Sequence, residues 1–376
     1  MIYLDNAATT KPCAEAVERA AFMMKAQWAN PSSSHAFGVR CKEEIENARR
    51  VTANALGAAP EEVYFTSGGT ESDNMALFGG AFAGNEKQIV TTSVEHAAVA
   101  KTVRNLRREH GYSVDYVPLS GGELDLDYLE RAVTEKTAVV SIMLVQNEVG
   151  TVFPLAEISR IVKRRNPNAL VHCDAVQGFG KIPFTVDGLG VDLLSVSAHK
   201  VHGIAGCGAL YVRNGVNIFA RQFGGGQERG LRSGTESAPL IAAFSEAIRT
   251  VFANFEADAE KMTQLRDYAM LRLKACFLDA RLNTNERCAP HIVSFTLPGI
   301  NAGDAVQALG KRGICVSNGS ACKSNSRGTE KRKQALEYYG LTDEEVRKTL
   351  RLSFCPENTA EEIDSAISAL GEIVQA

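Results

Sequence analysis

No stretch of the sequence is apolar enough to cross a membrane. The longest apolar run, around Ala138–Val145, falls well short of the roughly 18 residues a spanning helix needs. The opening Met1-Ile2-Tyr3-Leu4-Asp5-Asn6 has neither the basic nor the apolar stretch of a secretory signal. Excess charge of one sign is also missing: 41 lysines and arginines face 44 aspartates and glutamates, a net of −3. A chain so balanced has no general attraction to nucleic acid or to an acidic membrane. No Cys-x-x-Cys occurs among the nine cysteines Cys13, Cys41, Cys173, Cys207, Cys276, Cys288, Cys315, Cys322 and Cys355. Zinc is therefore unsupported and no metal site is expected. Reduced thiols in a cytoplasmic protein are the expectation. No Gly-x-Gly-x-x-Gly opens a helix and no Gly-Lys-Ser/Thr occurs, which removes the two common nucleotide loops. There is no internal repeat and no low-complexity block.

What is present is ordinary globular material, 376 residues with 45% apolar and 23% charged. Disorder and fibrous folds are excluded. The length implies two domains, or one large α/β domain with an appendage. From about 60 to 212, short runs rich in Val, Ile and Tyr alternate with amphipathic stretches. Val63–Thr66, Gln88–Thr92, Ser113–Pro118, Thr137–Val145, Ala169–Asp174, Asp192–Ser197 and Gly208–Val212 read as strands. Helices are expected over Glu71–Ala83, Ala97–His110, Asp127–Val133 and Leu155–Arg165. Such alternation predicts an α/β fold with a mostly parallel sheet flanked by helices, and ligands at the carboxyl ends of its strands. A long amphipathic segment, Asn254–Leu278, leads out of this unit. Strands at His291–Leu297, Ile314–Ser317 and Thr349–Phe354, with helices near Ala302–Arg312 and Ala360–Val374, then predict a smaller α+β C-terminal domain. The boundary falls near 255.

Five places could carry chemistry. Thr66–Asp73 follows a strand and opens a helix; it reads as an anion cradle at a helix start or as a plain glycine turn. Thr70 and Asp73 fit a capping box there. Asp174, at the end of an apolar strand, is a ligand or a helix cap. Lys200 follows another strand among small residues, so it is either a Schiff-base lysine or a loop lysine reaching water. Gly224–Thr235, with three glycines, Arg229 and Arg232, suits a loop around an anion or a linker. Cys322 sits among small polar residues beside Lys323, which favours a reactive thiolate. Cys207, Cys276 and Cys315 read as buried hydrophobes instead. The charged run Lys323–Lys333 reads as a solvated loop.

Taken in order, these motifs resemble the cysteine desulfurases of the NifS/IscS type, fold-type I pyridoxal phosphate (PLP) enzymes of the class V aminotransferase family. The resemblance spans Tyr3–Thr10, Asn30–His35, Thr66–Asn74, Glu95-His96, Asn147–Gly150, Asp174–Gln177, Ser197–Lys200, Arg232–Thr235, Cys322 and Arg351–Ser353. It implies a fold-type I PLP-transferase divided into an N-terminal segment 1–15 packed on the small domain, a large PLP-binding domain 16–255 and a small C-terminal domain 256–376 carrying the cysteine loop. By resemblance, Lys200 is the Schiff-base lysine, Asp174 the partner of the pyridine nitrogen and Gln177 the donor to the ring oxygen. His96 stacks on the ring and takes part in proton transfer. Gly69, Thr70, Ser197 and His199 bind the cofactor phosphate, completed by Thr235 of a second subunit, which implies a homodimer. Asn147 contacts ring or substrate, and Arg351 clamps the substrate carboxylate.

The activity so implied removes sulfur from L-cysteine, leaving L-alanine and a Cys322 persulfide. An acceptor protein, such as an iron–sulfur scaffold or a tRNA-thiolation protein, then takes the sulfur. Selenocysteine lyase or another PLP enzyme of the same fold is the alternative, and a non-catalytic scaffold is the reading of a different class. The chain departs from the family pattern at Asn318, Lys323, Val201-His202 and Cys355-Pro356, none of which removes a proposed catalytic group.

Overall fold

The structure, a computed structural model, describes residues 1–318 and 334–375. Cys322 and the charged run 323–333 lie outside them. In chain order the strands are β1 (Ile2–Tyr3), β2 (Val63–Thr66), β3 (Gln88–Thr92), β4 (Ser113–Val117), the short pair β5 (Leu119–Ser120) and β6 (Glu123–Leu124), β7 (Thr137–Ser141), β8 (Leu170–Asp174), β9 (Leu193–Ser197), β10 (Gly208–Val212), β11 (Arg281–Leu282), β12 (Ile292–Thr296), β13 (Ile314–Cys315), β14 (Ser317–Asn318) and β15 (Thr349–Ser353). The helices are α1 (Ala14–Ala26), α2 (Ala36–Leu56), α3 (Gly69–Ala81), α4 (Ala97–His110), α5 (Leu126–Ala132), α6 (Leu155–Arg165), α7 (Val186–Leu189), α8 (Ala238–Ala253), α9 (Phe255–Cys276), α10 (Ala302–Lys311), α11 (Asp343–Val346) and α12 (Ala360–Gln375).

The large sheet has seven strands in the order β2-β10-β9-β8-β7-β3-β4. β10 alone runs against its neighbours; every pairing from β9 to β4 is parallel. Helices cover both faces, so β3, β7, β9 and β10 are buried along their whole lengths. That is why they read as continuous apolar runs and not as alternating ones. The parallel course brings the carboxyl ends of β2, β3, β7, β8 and β9 to one edge. The segment expected as a strand over Thr137–Val145 leaves the sheet after Ser141, at that same edge.

The smaller sheet is antiparallel, in the order β11-β12-β15-β14. β1 pairs with β13 in parallel, and Leu4, fully buried, joins the core beneath this sheet with Val293, Phe295 and Leu352. Five helices were not expected from the sequence: the one-turn α7 and α11, and the longer α1, α2 and α8. α2 buries Cys41, Ile45, Ala48, Thr52 and Leu56 at helical spacing and ends on Gly57 in the left-handed region. α1 and α8 meet through Ala16, Ala20, Ala243 and Ala247, a seam of small side chains with little apolar contrast. Cys207 is buried as expected, whereas Cys315 is half-buried and Cys276 exposed at the end of α9, where the helix face turns to solvent.

Candidate active site

A cavity of about 570 Å³ opens at the carboxyl edge of the large sheet. Ten of the twelve expected site residues line it; Thr235 does not, and Cys322 lies outside the described residues. Nine of the ten come from the end of a strand of the large sheet or from the segment after one, and Arg351 comes from within β15 of the smaller sheet.

β2 hands over to α3 through Ser67-Gly68. Gly68 has φ +151°, a backbone region that side chains resist. A Cβ on Gly69 would lie 2.7 Å from Val176 Cγ2, so the helix start packs close against the loop after β8. The first intrahelical bond here runs from Ser72 N–H to Gly68 O. The N–H groups of Gly69, Thr70 and Glu71 therefore have no partner within the helix. They open beside Ser197, whose Cβ would be 3.6 Å from a Cβ on Gly69. Together they form an anion cradle. The expected capping box does not form. Glu71, not Asp73, returns to cap the turn, accepting from Ser67 N–H at 2.6 Å, and Asp73 faces the sheet, 1% exposed.

Asp174 ends β8. Its Oδ1 accepts from Val176 N–H at 3.0 Å, so the cap-like reading and the ligand reading describe different oxygens of one carboxylate. Burial pushes its pKa up, against the pull of His96 and Lys200. His96 caps α4, its Nδ1 accepting from Ala98 N–H at 3.2 Å. Burial holds His96 below its ordinary pKa; Asp174 opposes this and Lys200 adds to it. One atom each of Asp73, His96 and Asp174 lie within 4.8 Å of one another, and all three residues line the cavity.

Lys200 follows β9 and points across the cavity to the N-terminal segment. Its Nζ donates to Ala7 O at 2.6 Å and Ala8 O at 2.7 Å. Gln177 Nε2 also donates to Ala7 O, at 2.7 Å, and its Oε1 accepts from His291 Nε2 at 3.1 Å. One Gln177 N–H is left for a ligand. His199 pairs with Thr9 Oγ1 at 3.1 Å and is driven down to about 4 by burial and the Lys200 charge.

Arg351, on β15, reaches in from the smaller sheet. It donates to Asn147 O at 2.7 Å and to Asp5 Oδ1 at 2.9 Å, while its buried Nε has no partner among the described residues. Sequence reasoning singled out neither Asp5 nor the Ala7 and Ala8 carbonyls, because a backbone acceptor has no residue signature.

The Gly224–Thr235 loop differs from its expected role. Arg232 pairs with Glu71 at 2.7 Å, and Arg229 donates to the carbonyls of Glu61 and Val63. Both arginines fix the loop to the sheet and the α3 start. Thr235 is exposed and stands outside its own chain's cavity.

The aminotransferase class-V family model matches residues 2–365. A cysteine desulfurase of Trichormus azollae is 40% identical over 378 residues, covering 100% of this chain and 93% of that one. A solved NifS-like protein superposes with a TM-score of 0.92 at 36% identity, covering 100% of this chain and 99% of its own. A structure of SspA in complex with cysteine gives 0.82 at 30% identity, covering 96% and 100%.

Proposed function

From the premise that the chain belongs to the aminotransferase class-V family, as a PLP-dependent cysteine desulfurase, we propose how its own residues do this work. The observation that carries the proposal is convergence. A lysine, a buried carboxylate and an open helix start all face one cavity. That donor set fits PLP: the α3 start for a phosphate, Asp174 for a protonated ring nitrogen, Lys200 for covalent attachment. When bound, PLP supplies an electron sink for the α-carbon of an amino acid.

Gly69, Thr70, Ser197 and His199 hold the phosphate, and Thr235 of a second subunit completes that site. Asp174 keeps its negative charge against the ring nitrogen. Gln177 spends its remaining N–H on the ring oxygen. His96, held by Ala98 N–H through Nδ1, presents Nε2 for proton transfer. Lys200 moves the proton at the substrate α-carbon, and the carbonyls of Ala7 and Ala8 receive its ammonium when it is displaced. Arg351 and Asn147 hold the substrate carboxylate. Cys322 takes the sulfur of L-cysteine as a persulfide, and L-alanine leaves.

The division into an N-terminal segment 1–15, a large domain 16–255 and a small domain 256–376 belongs to the same proposal, as do a homodimer, a cytoplasmic setting and a protein sulfur acceptor. No helix among the described residues is long and apolar enough to cross a membrane. The test is borohydride reduction of the PLP-loaded protein, followed by peptide mapping. The label is expected on Lys200, and a label on any other lysine overturns the assignment.

A further inference from the structure

Beneath Asp174 the sheet holds polar side chains that the proposed reaction does not use. His172, two residues earlier on β8, is fully buried. Its Nδ1 lies 2.9 Å from Ser141 Oγ and its Nε2 3.1 Å from Ser195 Oγ. Burial drives its pKa down to about 3, so the ring is neutral; one nitrogen donates and the other accepts. Asp73 enters this layer from α3. Ser195 beside it favours its charged form, and its Oδ1 lies 3.6 Å from His172 Nε2. That Oδ1 is buried with no hydrogen-bond partner among the described residues.

Ser141, His172 and Ser195 thus pair among themselves on the strands, and the Asp73 carboxyl stands at the edge of this layer. Around that carboxyl stand Asp174 on β8 and Glu95 just after β3, both acidic, neutral His172, and His96 at the start of α4. Asp174 has the cations, since His96 and Lys200 both favour its charged form. Asp73 is raised by burial and then by the charges of Asp174 and Glu95. Two carboxyls buried within 4.8 Å do not both ionise without compensation.

We propose that Asp73 is the protonated member of a buried carboxyl pair with Asp174, and a positioning residue that keeps the pair's single negative charge on Asp174. This rests on the reading of Asp174 as the partner of the ring nitrogen. Oδ1, buried without a partner among the described residues, is the atom left to carry the proton. A charged Asp73 would set a second anion beside the ring and compete with Asp174 for the same proton.

Infrared spectroscopy at neutral pH reads the proton directly. The wild-type protein should show the carbonyl band of a protonated carboxylic acid that moves when aspartate is labelled with carbon-13 at its side-chain carboxyl. Asp73→Asn should remove that band, and Glu95→Gln should leave it in place. Because Asn copies a neutral Asp, PLP affinity of the Asp73→Asn apoprotein should stay within about twofold of wild type. The spectroscopic titration of the bound imine should not move. Asp73→Ala, which leaves this buried position unfilled, should weaken PLP about tenfold, equivalent to about 1.4 kcal/mol. Absence of any aspartic acid band in the wild type overturns the proposal without recourse to a variant. So does a band that survives Asp73→Asn, or a tenfold loss of PLP in that variant. Failure of the wild-type apoprotein to bind PLP would overturn the functional reading instead, and the infrared result would still stand.

Discussion

Arg351 reaches the cavity already engaged, with Asp5 on one nitrogen and Asn147 O on another. The ion pair aims the guanidinium before substrate arrives. Asp5→Asn should therefore raise KM for L-cysteine about five- to tenfold with kcat little changed, the pattern of lost ground-state binding; steady-state kinetics at saturating PLP check it. Cys322→Ala should abolish release of L-alanine while the protein still binds PLP. Cys315→Ala should turn over normally and cost about 1 kcal/mol in denaturant unfolding, because that side chain is half-buried in β13. Glu95 offers a pH test. Its Oε1 accepts from Thr92 Oγ1 and Met143 N–H, and burial, then the Asp174 charge, pushes its pKa up from 4.5 to about 8. A raised carboxyl favours the folded state below its unfolded pKa, and that contribution is lost as pH climbs toward the folded one. Glu95→Gln keeps the acceptor and does not titrate. Its melting temperature, relative to wild type, should climb between about pH 5 and 8, by as much as a few kcal/mol in stability; a constant difference across that range counts against a neutral Glu95.

At the start of α3 a single methyl group would be felt. Gly69→Ala brings a Cβ to 2.7 Å from Val176 Cγ2, so either the helix or the loop after β8 must shift. PLP affinity of the apoprotein should fall about tenfold and stability by about 1–2 kcal/mol, and adding Val176→Ala should restore most of both. Fluorescence titration of PLP and denaturant unfolding measure the pair. Most strands of the large sheet were legible within a residue or so because runs rich in β-branched residues, such as Gln88–Thr92, suit a buried pleated surface, although β7 was read four residues too long, to Val145. α1 and α8 were not, since Ala16, Ala20, Ala243 and Ala247 bury a helix face without the contrast that periodicity needs. In the site, Lys200 and Asp174 announced themselves by standing at strand ends. Asp73 was misread as a cap partner because spacing from Thr70 fits a box whose place Glu71 takes. Asp5 was quoted within a motif but given no role, because its partner Arg351 is 346 positions away. Arg229 and Arg232 looked available for an anion because sequence shows their charge and not the carbonyls and Glu71 that occupy them.

The single chain leaves Thr235 on its surface, and large apolar side chains with it: Phe223 is 76% and Trp28 69% exposed. Such exposure fits a covered face. Light scattering should give twice the chain mass. Thr235→Ala should remain dimeric but bind PLP about tenfold less tightly. Mixing Lys200→Ala subunits with Thr235→Ala subunits should recover activity, because one site of each hybrid then collects both changes and the other none. A fully active monomer would overturn the shared site. The placement of the N-terminal segment has its own consequence for how the molecule is made. Asn6 bonds Ser353 O across 347 positions, β1 pairs with β13, and Ala7 and Ala8 receive Lys200. Apart from local bonds such as Asn6 to Tyr3 O, residues 2–8 therefore emerge from the ribosome well ahead of the partners that hold them in the fold, such as Gln177, 170 positions from Ala7. They must wait, extended and unpaired, while the large sheet assembles, and closing so long a loop is slow. Docking of this segment should be a late event in biogenesis, after which the pocket first exists to be loaded.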